Sequence, residues 1–313
     1  MDPLTQLVEL LRPKALAWKR MMGRGDWAWR FHSQSGVAFG LVVRGACRLR
    51  PRDGGERPLG VGDCLFITGP STWTLQNGDG APVLDFDDVH PVLPSGTWPE
   101  TADEGEVHIV GGHFDFDSAN EGLLPALLPP IVVVQPGDGE EQRRLTDIFA
   151  MIDREASADR PGRLSMLTRL MEMVLIEMLR TPLARAGDWP GGMIAGLADP
   201  KIGRALRAFH ADVRGDWSVE ALAGAAGMSR SRFSRRFMET VGEPPMSYVL
   251  HWRMACARDA LRAGLKSLDQ IAEAIGYGSA SAFSTAFSRT MGQSPARYGR
   301  ESALIKQMGS SVV

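Results

Sequence analysis

The spacing of apolar positions changes character twice along this chain. Residues 1–22 carry a short helical spacing that breaks at Pro13. From Trp27 to about Phe116 the apolar residues come in short β-rich runs: Phe31, Val37–Val43, Cys47–Arg50, Arg57–Leu59, Asp63–Ile67, Thr72–Leu75, Val83–Phe86 and Val107–Phe114. Turn residues separate the runs, among them Gly45, Gly62-Asp63, Gly69-Pro70 and Asn77-Gly78, so an antiparallel barrel or jelly roll is predicted over residues 23–116. Helical spacing returns over 138–156, with Leu145, Ile148, Phe149 and Ile152 on one face, and over 161–180. The second of these helices carries a wide apolar stripe, Leu164, Leu167, Met171, Val174, Leu175 and Met178. Residues 182–199 are rich in Pro and Gly and read as a linker. The expectation is an α+β, two-domain chain: 1–181, linker, an all-helical domain over 200–300, and a tail over 301–313.

Inside the helical domain the pattern is written twice. Ser229, Phe233, Phe237, Gly242, Pro245 and Tyr248 recur as Ser279, Phe283, Phe287, Gly292, Pro295 and Tyr298. A fixed period means one supersecondary unit used twice. Each copy reads as helix, tight turn, helix, with Ser218, Ser229, Ser267 and Ser279 or Ser281 as caps and Gly227 and Gly276 as stops. Between the copies, His251–Leu265 reads as a connecting helix of about 20 Å. Such a strut suits two reading helices in successive major grooves, about 34 Å apart.

The carrying motifs are LAGAAGMSRSRFSRRF from Leu222, VGEPPMSYV from Val241, WRMACARDAL from Trp252, and IAEAIGYGSASAFSTAF with MGQSPARY from Ile271 and Met291. Over this hundred-residue span the chain resembles the AraC/XylS family of transcription regulators. The segment LVVRGACRLRPRDGGERPLGVGDCLFITGPSTWTL from Leu41 resembles a cupin half-barrel, which members of that family often carry at this place. The resemblance implies a cytoplasmic regulator that binds double-stranded promoter DNA, senses a small-molecule effector, forms a homodimer and meets RNA polymerase. It places base contacts on Ser231, Ser234 and Arg235 of the first copy and on Ala280, Ser281, Ser284 and Thr285 of the second. Many relatives carry Arg where Thr285 stands, so the second copy is expected to read less. Arg230, Arg232, Arg236, Arg289 and Arg297 are expected on phosphates, which position without specifying.

Charge sharpens the division. The chain is close to neutral at −2, yet residues 201–300 hold 15 Lys/Arg against 8 Asp/Glu, and the first 200 residues are strongly acidic. A basic helical domain suits phosphate and an acidic barrel does not. Three cysteines without metal spacing fit a reducing cytosol, no signal peptide is read at the start, and the longest apolar stretch, Leu123–Val134, is broken by prolines and too short to span a membrane.

Candidate chemistry in the barrel is sparse. Metal-holding cupins need clustered His and a carboxylate. Here His32 stands alone, and His90, His108 and His113 are scattered, so neither metal nor cofactor is expected and the chain is not read as an enzyme. The barrel then reads as an effector pocket, with Trp27, Trp29, Phe31, His32, Arg48 and Trp73 as candidate lining. The effector class stays open between a metabolite, a cyclic dinucleotide and an oxidant. An alternative reading is a redox sensor acting through Cys47 or Cys64, which fall on neighbouring predicted strands. A cupin enzyme with a DNA-binding tail is a third reading. The stripe Leu164, Leu167, Met171, Val174 and Met178 is the expected dimer interface.

Overall fold

The fold is described from a computed structural model over residues 2–11, 14–33, 36–52, 54–89, 105–116, 130–135, 140–158, 160–184 and 191–310. Most of the apolar stretch Leu123–Val134 lies outside them.

The β-rich region forms two five-stranded sheets among the described residues. In chain order the strands are β1 (Lys14–Gly23), β2 (Trp27–Ser33), β3 (Val37–Arg44), β4 (Cys47–Pro51), β5 (Arg57–Leu59), β6 (Cys64–Thr68), β7 (Ser71–Asn77), β8 (Val83–Asp85), β9 (Val107–Asp115) and β10 (Ile131–Val134). One sheet runs β1-β9-β3-β6-β10 and the other β5-β4-β7-β2-β8. The pairings are antiparallel except β2 with β8. Inward-facing Trp27, Trp29, Leu49, Trp73 and Leu75 of the second sheet meet Met21, Leu65, Ile67 and Ile109 of the first. Burial alternates along β4, whereas all five residues of β6 are buried, so the strands are legible as β-rich runs bounded by turn residues rather than by alternation.

Two strands were not expected. The helical reading of residues 1–22 holds only for α1 (Pro3–Leu11). Beyond it, β1 pairs along its length with β9, from Lys14 opposite Asp115 to Gly23 opposite Val107. Likewise β10 adds to the edge of β6, with Ile131 opposite Ile67. Cys47 and Cys64 are not on neighbouring strands: β4 and β6 belong to different sheets.

After a short turn of helix, α2 (Phe86–Val89), come α3 (Glu140–Ser157) and α4 (Arg163–Ala184). Phe149 of α3 packs on Trp18 and Phe39 at the outer side of the first sheet. The α4 stripe corrects an expectation. Leu167, Met171, Val174 and Met178 are buried within the chain itself, at 7% exposure or less, whereas Leu164 is 76% exposed. Four of the five residues expected at a subunit interface are therefore core.

The remaining helices are α5 (Gly192–Ala198), α6 (Ile202–Ala211), α7 (Val219–Ala226), α8 (Arg230–Val241), α9 (Pro245–Ala263), α10 (Leu268–Ala274), α11 (Ala280–Met291) and α12 (Pro295–Ser310). α5 occupies part of the stretch read as linker. Its Met193 and Ile194 are fully buried, and it packs on α6 and α8. Gly196 makes this possible, because a Cβ there would lie 2.7 Å from Leu206 and 2.9 Å from Val241. The connecting helix α9 is longer than the sequence suggested and starts at Pro245, where proline at the first helical position costs no hydrogen bond. α12 runs on through most of the expected tail.

Chain contacts divide the molecule into two compact units. One holds the two sheets, α3 and the body of α4. The other holds α5–α12 and, unexpectedly, α1 from the far end of the sequence. Leu7, Leu10 and Leu11 of α1 are buried. Gln6 donates from Nε2 to the His210 carbonyl at 2.7 Å and lies 2.8 Å from His210 Nδ1 through Oε1.

Candidate nucleic-acid interface and barrel cavity

Each copy of the repeat builds the same surface. In the first, Ser218 accepts from the Ala221 amide at 3.1 Å and starts α7. In the second, Ser267 and Gln270 form a reciprocal capping box ahead of α10, and Ser279 accepts from Ala282 at 3.1 Å ahead of α11. Phe233 and Phe237 are buried on α8 and Phe283 and Phe287 on α11, at 1% exposure or less. With those faces pinned inward, the opposite faces must point outward. On α8 that face carries Ser231 and Arg235, exposed, with Ser234 half-buried beside them. On α11 it carries Ser281 and Thr285, exposed, with Ala280 and Ser284 half-buried. Thr285 spends its hydroxyl on its own helix, donating to the Ser281 carbonyl at 3.1 Å.

The arginines expected on phosphates separate into kinds. Arg232 is exposed and, like Arg235, forms no ion pair among the described residues. Arg289 is exposed near the end of α11. Arg230 pairs with Glu220 at 2.8 Å and Arg297 with Glu301 at 2.8 Å, both at the surface. Arg236 is the correction. Its Nε donates to Asp199 Oδ2 at 2.8 Å, and the other oxygen of Asp199 accepts from the Lys201 and Ile202 amides at 2.8 and 2.9 Å. Arg236 therefore ties α8 to the start of α6, and its charge is already matched. Burial works to raise the Asp199 pKa, but Arg236 and the two amides outweigh it and hold the carboxyl below its ordinary value. The same pairing raises Arg236.

Between the sheets lies a cavity of about 330 Å³. Its walls are Phe31, Trp73, Phe86, Leu65, Ile67 and Ile109, with Met21 and Lys19 contributed by β1. Gly40, Gly111 and Gly112 form part of the floor on β3 and β9. The aromatic wall is stacked: Phe31 lies parallel to Trp73 at 5.5 Å, and Phe86 lies 4.5 Å from Phe31. Lys19, His32, His113 and Asp87 supply the polar edge. The Lys19 ammonium sits 4.9 Å from the Phe86 ring centre and 3.9 Å from Asp87. His32 lies between Thr72 Oγ1 at 3.2 Å and Asp85 Oδ1 at 3.1 Å.

Of the six candidate lining residues, Phe31, His32 and Trp73 reach this cavity. Trp27 and Trp29 stack on each other at 4.0 Å within the core. Arg48 points the other way, because its neighbours Cys47 and Leu49 are the buried positions of β4. It pairs with Glu56 and Asp79 and donates to the Gly78 carbonyl at 2.8 Å. Lys19 and Met21 were missed with their strand. The adjacent glycines of β9 were the available signal, since glycine in a strand interior often marks close approach of something else.

Cys47 and Cys64 are buried, and burial, helped by Asp63, pushes each thiol up to about 12. Among the described residues no group of three or more His, Cys, Asp or Glu is placed to hold a metal, and no helix is long and apolar enough to cross a membrane.

Comparison with known proteins matches both units. A family model described as Cupin matches residues 2–184, and one described as Helix-turn-helix domain matches 222–301. An AraC-like transcription regulator of Streptomyces lividans is 35% identical over 95% of this chain and 98% of its own. The transcriptional regulator AlkR of Acinetobacter baylyi is 28% identical over 96% of this chain and 100% of its own. Among solved structures, the DNA-binding domain of AdpA in complex with a target DNA is 31% identical, covering 33% of this chain and 92% of that one, with a TM-score of 0.31.

Proposed function

This chain belongs to the AraC-like transcription regulators that carry an N-terminal cupin domain, and from that premise we propose that the barrel cavity binds a small, largely apolar and flat effector that alters DNA binding. The DNA-binding part of the function comes with the family. The observation that carries the finer part is the cavity itself: a volume of about 330 Å³ walled by stacked aromatic rings and aliphatic side chains, with polar groups confined to one edge. Ligand pockets commonly start near this size and have this mixture of apolar wall and few polar groups. The redox reading is disfavoured by the buried thiols: at a pKa of about 12, roughly one in 10⁵ is ionised at neutral pH.

Gly40 offers the test. A Cβ there would meet Ile109 at 3.6 Å and the Val110 carbonyl at 3.8 Å, which are ordinary contacts, so a larger side chain is accepted by the backbone and extends into the cavity. A naphthalene-type fluorescent probe is expected to bind the full-length protein at one site. In Gly40→Leu its affinity is expected to drop tenfold or more, with the melting transition and DNA affinity of the unliganded protein unchanged. Equal probe binding by the folded variant rules the cavity out as the site.

The proposal includes a homodimer through the outer face of α4. Met166 and Met173 are exposed there two turns apart, at 52 and 43%, and large exposed apolar groups gathered on one face mark association surfaces. Met166→Lys with Met173→Lys is expected to convert dimer to folded monomer in light scattering. A dimer of unchanged mass in the folded variant removes this face from consideration.

A further inference from the structure

The two copies of the repeat both pack on α9, at different ends of it. Tyr248 and Trp252 belong to the first copy, where they meet Phe237 and His210. Met254 and Ala257 belong to the second, in one core with Ile271, Phe283 and Phe287. Arg253 sits between these two sets. Its guanidinium reaches back to the loop that joins α6 to α7: Nε donates to the Val213 carbonyl at 3.0 Å and Nη2 to the Gly215 carbonyl at 2.6 Å. That loop is fastened to the first copy by Trp217, whose Nε1 donates to the Asp212 carbonyl at 2.7 Å and whose ring stands edge-on to Phe209.

The second copy arrives at the same point. Gly276, the residue that turns the chain after α10, has φ +80° and lies against the loop so closely that a Cβ would fall 2.4 Å from the Arg214 carbonyl oxygen and 2.7 Å from Arg253 Nη2. A loop of the first copy, the turn of the second and the side chain of the connecting helix are thus locked together by one guanidinium and one missing side chain. A planar fork with several donors can hold two carbonyls at once; an ammonium on a flexible stem cannot hold them in fixed geometry.

We propose that Arg253 is a positioning residue for DNA recognition: through the 213–215 loop and the Gly276 turn it fixes the separation and twist of the two reading helices, and so sets the spacing between the two half-sites the protein accepts. The inference rests on both copies entering DNA. One base pair displaces a half-site by about 3.4 Å and turns it by roughly a tenth of a helical turn. A braced pair of reading helices cannot follow that change without losing contacts on one side. A pair joined by the helix alone can.

The test uses the full-length protein and an operator recovered by selection from random DNA, with variants carrying one base pair inserted or deleted between the half-sites. The unmutated protein is expected to bind the respaced sites about tenfold or more weakly, the scale of a lost base contact. In Arg253→Met the original site is expected to bind somewhat less well, while the penalty for respacing shrinks to threefold or less and binding to an isolated half-site is unchanged. Arg253→Lys, which restores charge without the fork, is expected to fall between. Gly276→Ala attacks the same joint from the other side and is expected to alter the same ratio, so the proposal does not depend on the folding of one variant. A purely structural role would weaken all three sites together and leave the ratio as it was, which overturns the proposal. Indifference of the unmutated protein to spacing overturns it at the level of two-copy reading.

Discussion

Arg235→Ala is expected to bind its selected operator 5- to 150-fold more weakly while its affinity for scrambled DNA changes little. Arg235 projects from α8 opposite the buried Phe233 and Phe237, is exposed, and forms no ion pair among the described residues that would compete for its fork. A guanidinium donating to both acceptors of one guanine contributes about 1–3 kcal/mol of discrimination, and that range sets the expected factor. Thr285, the matching residue of the second copy, has a short hydroxyl already donated to Ser281. Thr285→Ala is therefore expected to change little. Arg232→Ala, the removal of an unmatched surface charge, should weaken both kinds of DNA about equally and lower the salt slope by about one. Binding of each variant to selected and scrambled duplexes over a salt series decides the matter. Equal loss on both duplexes for Arg235→Ala would place the reading face elsewhere, and a larger loss for Thr285→Ala would make the second copy the reader.

Acidification is expected to destabilise the DNA-binding unit through His210. This imidazole is buried, bonded to Tyr248 Oη at 2.7 Å through Nε2, and packed edge-on against Trp252 at 4.3 Å. Burial is the main reason its pKa falls to about 3. The sign follows from proton counting. An unfolded histidine takes up a proton near pH 6.5, whereas the folded one stays neutral down to about 3. Between those values the unfolded state holds more protons, so stability is present above pH 6.5 and drains away as pH falls. By pH 5 the loss is about 2 kcal/mol, at about 1.4 kcal/mol for each unit below 6.5. Thermal melts at pH 7 and pH 5 should show the difference, and His210→Gln, which cannot titrate, should flatten it whatever its own stability. A native protein whose melting temperature holds constant over this range contradicts the assignment.

The helical repeat was legible because its determinants are local. Ser218, Ser267 and Ser279 cap the helices they precede, Gly242 and Gly292 close α8 and α11 in the left-handed conformation, and the phenylalanines mark the inward faces within one turn of each other. What went unread depends on partners far away in sequence. Nothing in KALAWKRMMG alternates cleanly, and β1 is a strand because β9 lies beside it, some ninety residues on. The GGMIAGLA stretch looks like linker by its glycine count. It becomes helix α5 because Gly196 lets Leu206 and Val241 approach. Arg236 has the residue type of a phosphate contact, and only the position of Asp199 shows that it is spoken for. In the barrel, Trp27, Trp29, Phe31 and Trp73 are the same kind of residue to a sequence reader. Which of them borders empty space was decided by Gly40, Gly111 and Gly112 across the cavity.

The order in which the ribosome makes this chain separates the two halves of one core. Helix α1 is made before the sheets, but α6, against which it packs, begins at Ile202, roughly 190 residues later. At about 5–20 residues per second that is a wait of some 10–40 s, long enough for a β-sandwich to be synthesised and to fold in between. Nine residues are too few for a helix to persist alone in water, so during that interval the segment waits without the helix it packs on. The joining step at the end costs little extra entropy, because closure of a loop grows only with the logarithm of its length. The DNA-binding unit is in this sense completed only after the sheets are made, and it is completed with a segment made before them. A fragment cut at residue 200 would expose the apolar seat of α1 and leave the His210 carbonyl without the Gln6 amide that now bonds it.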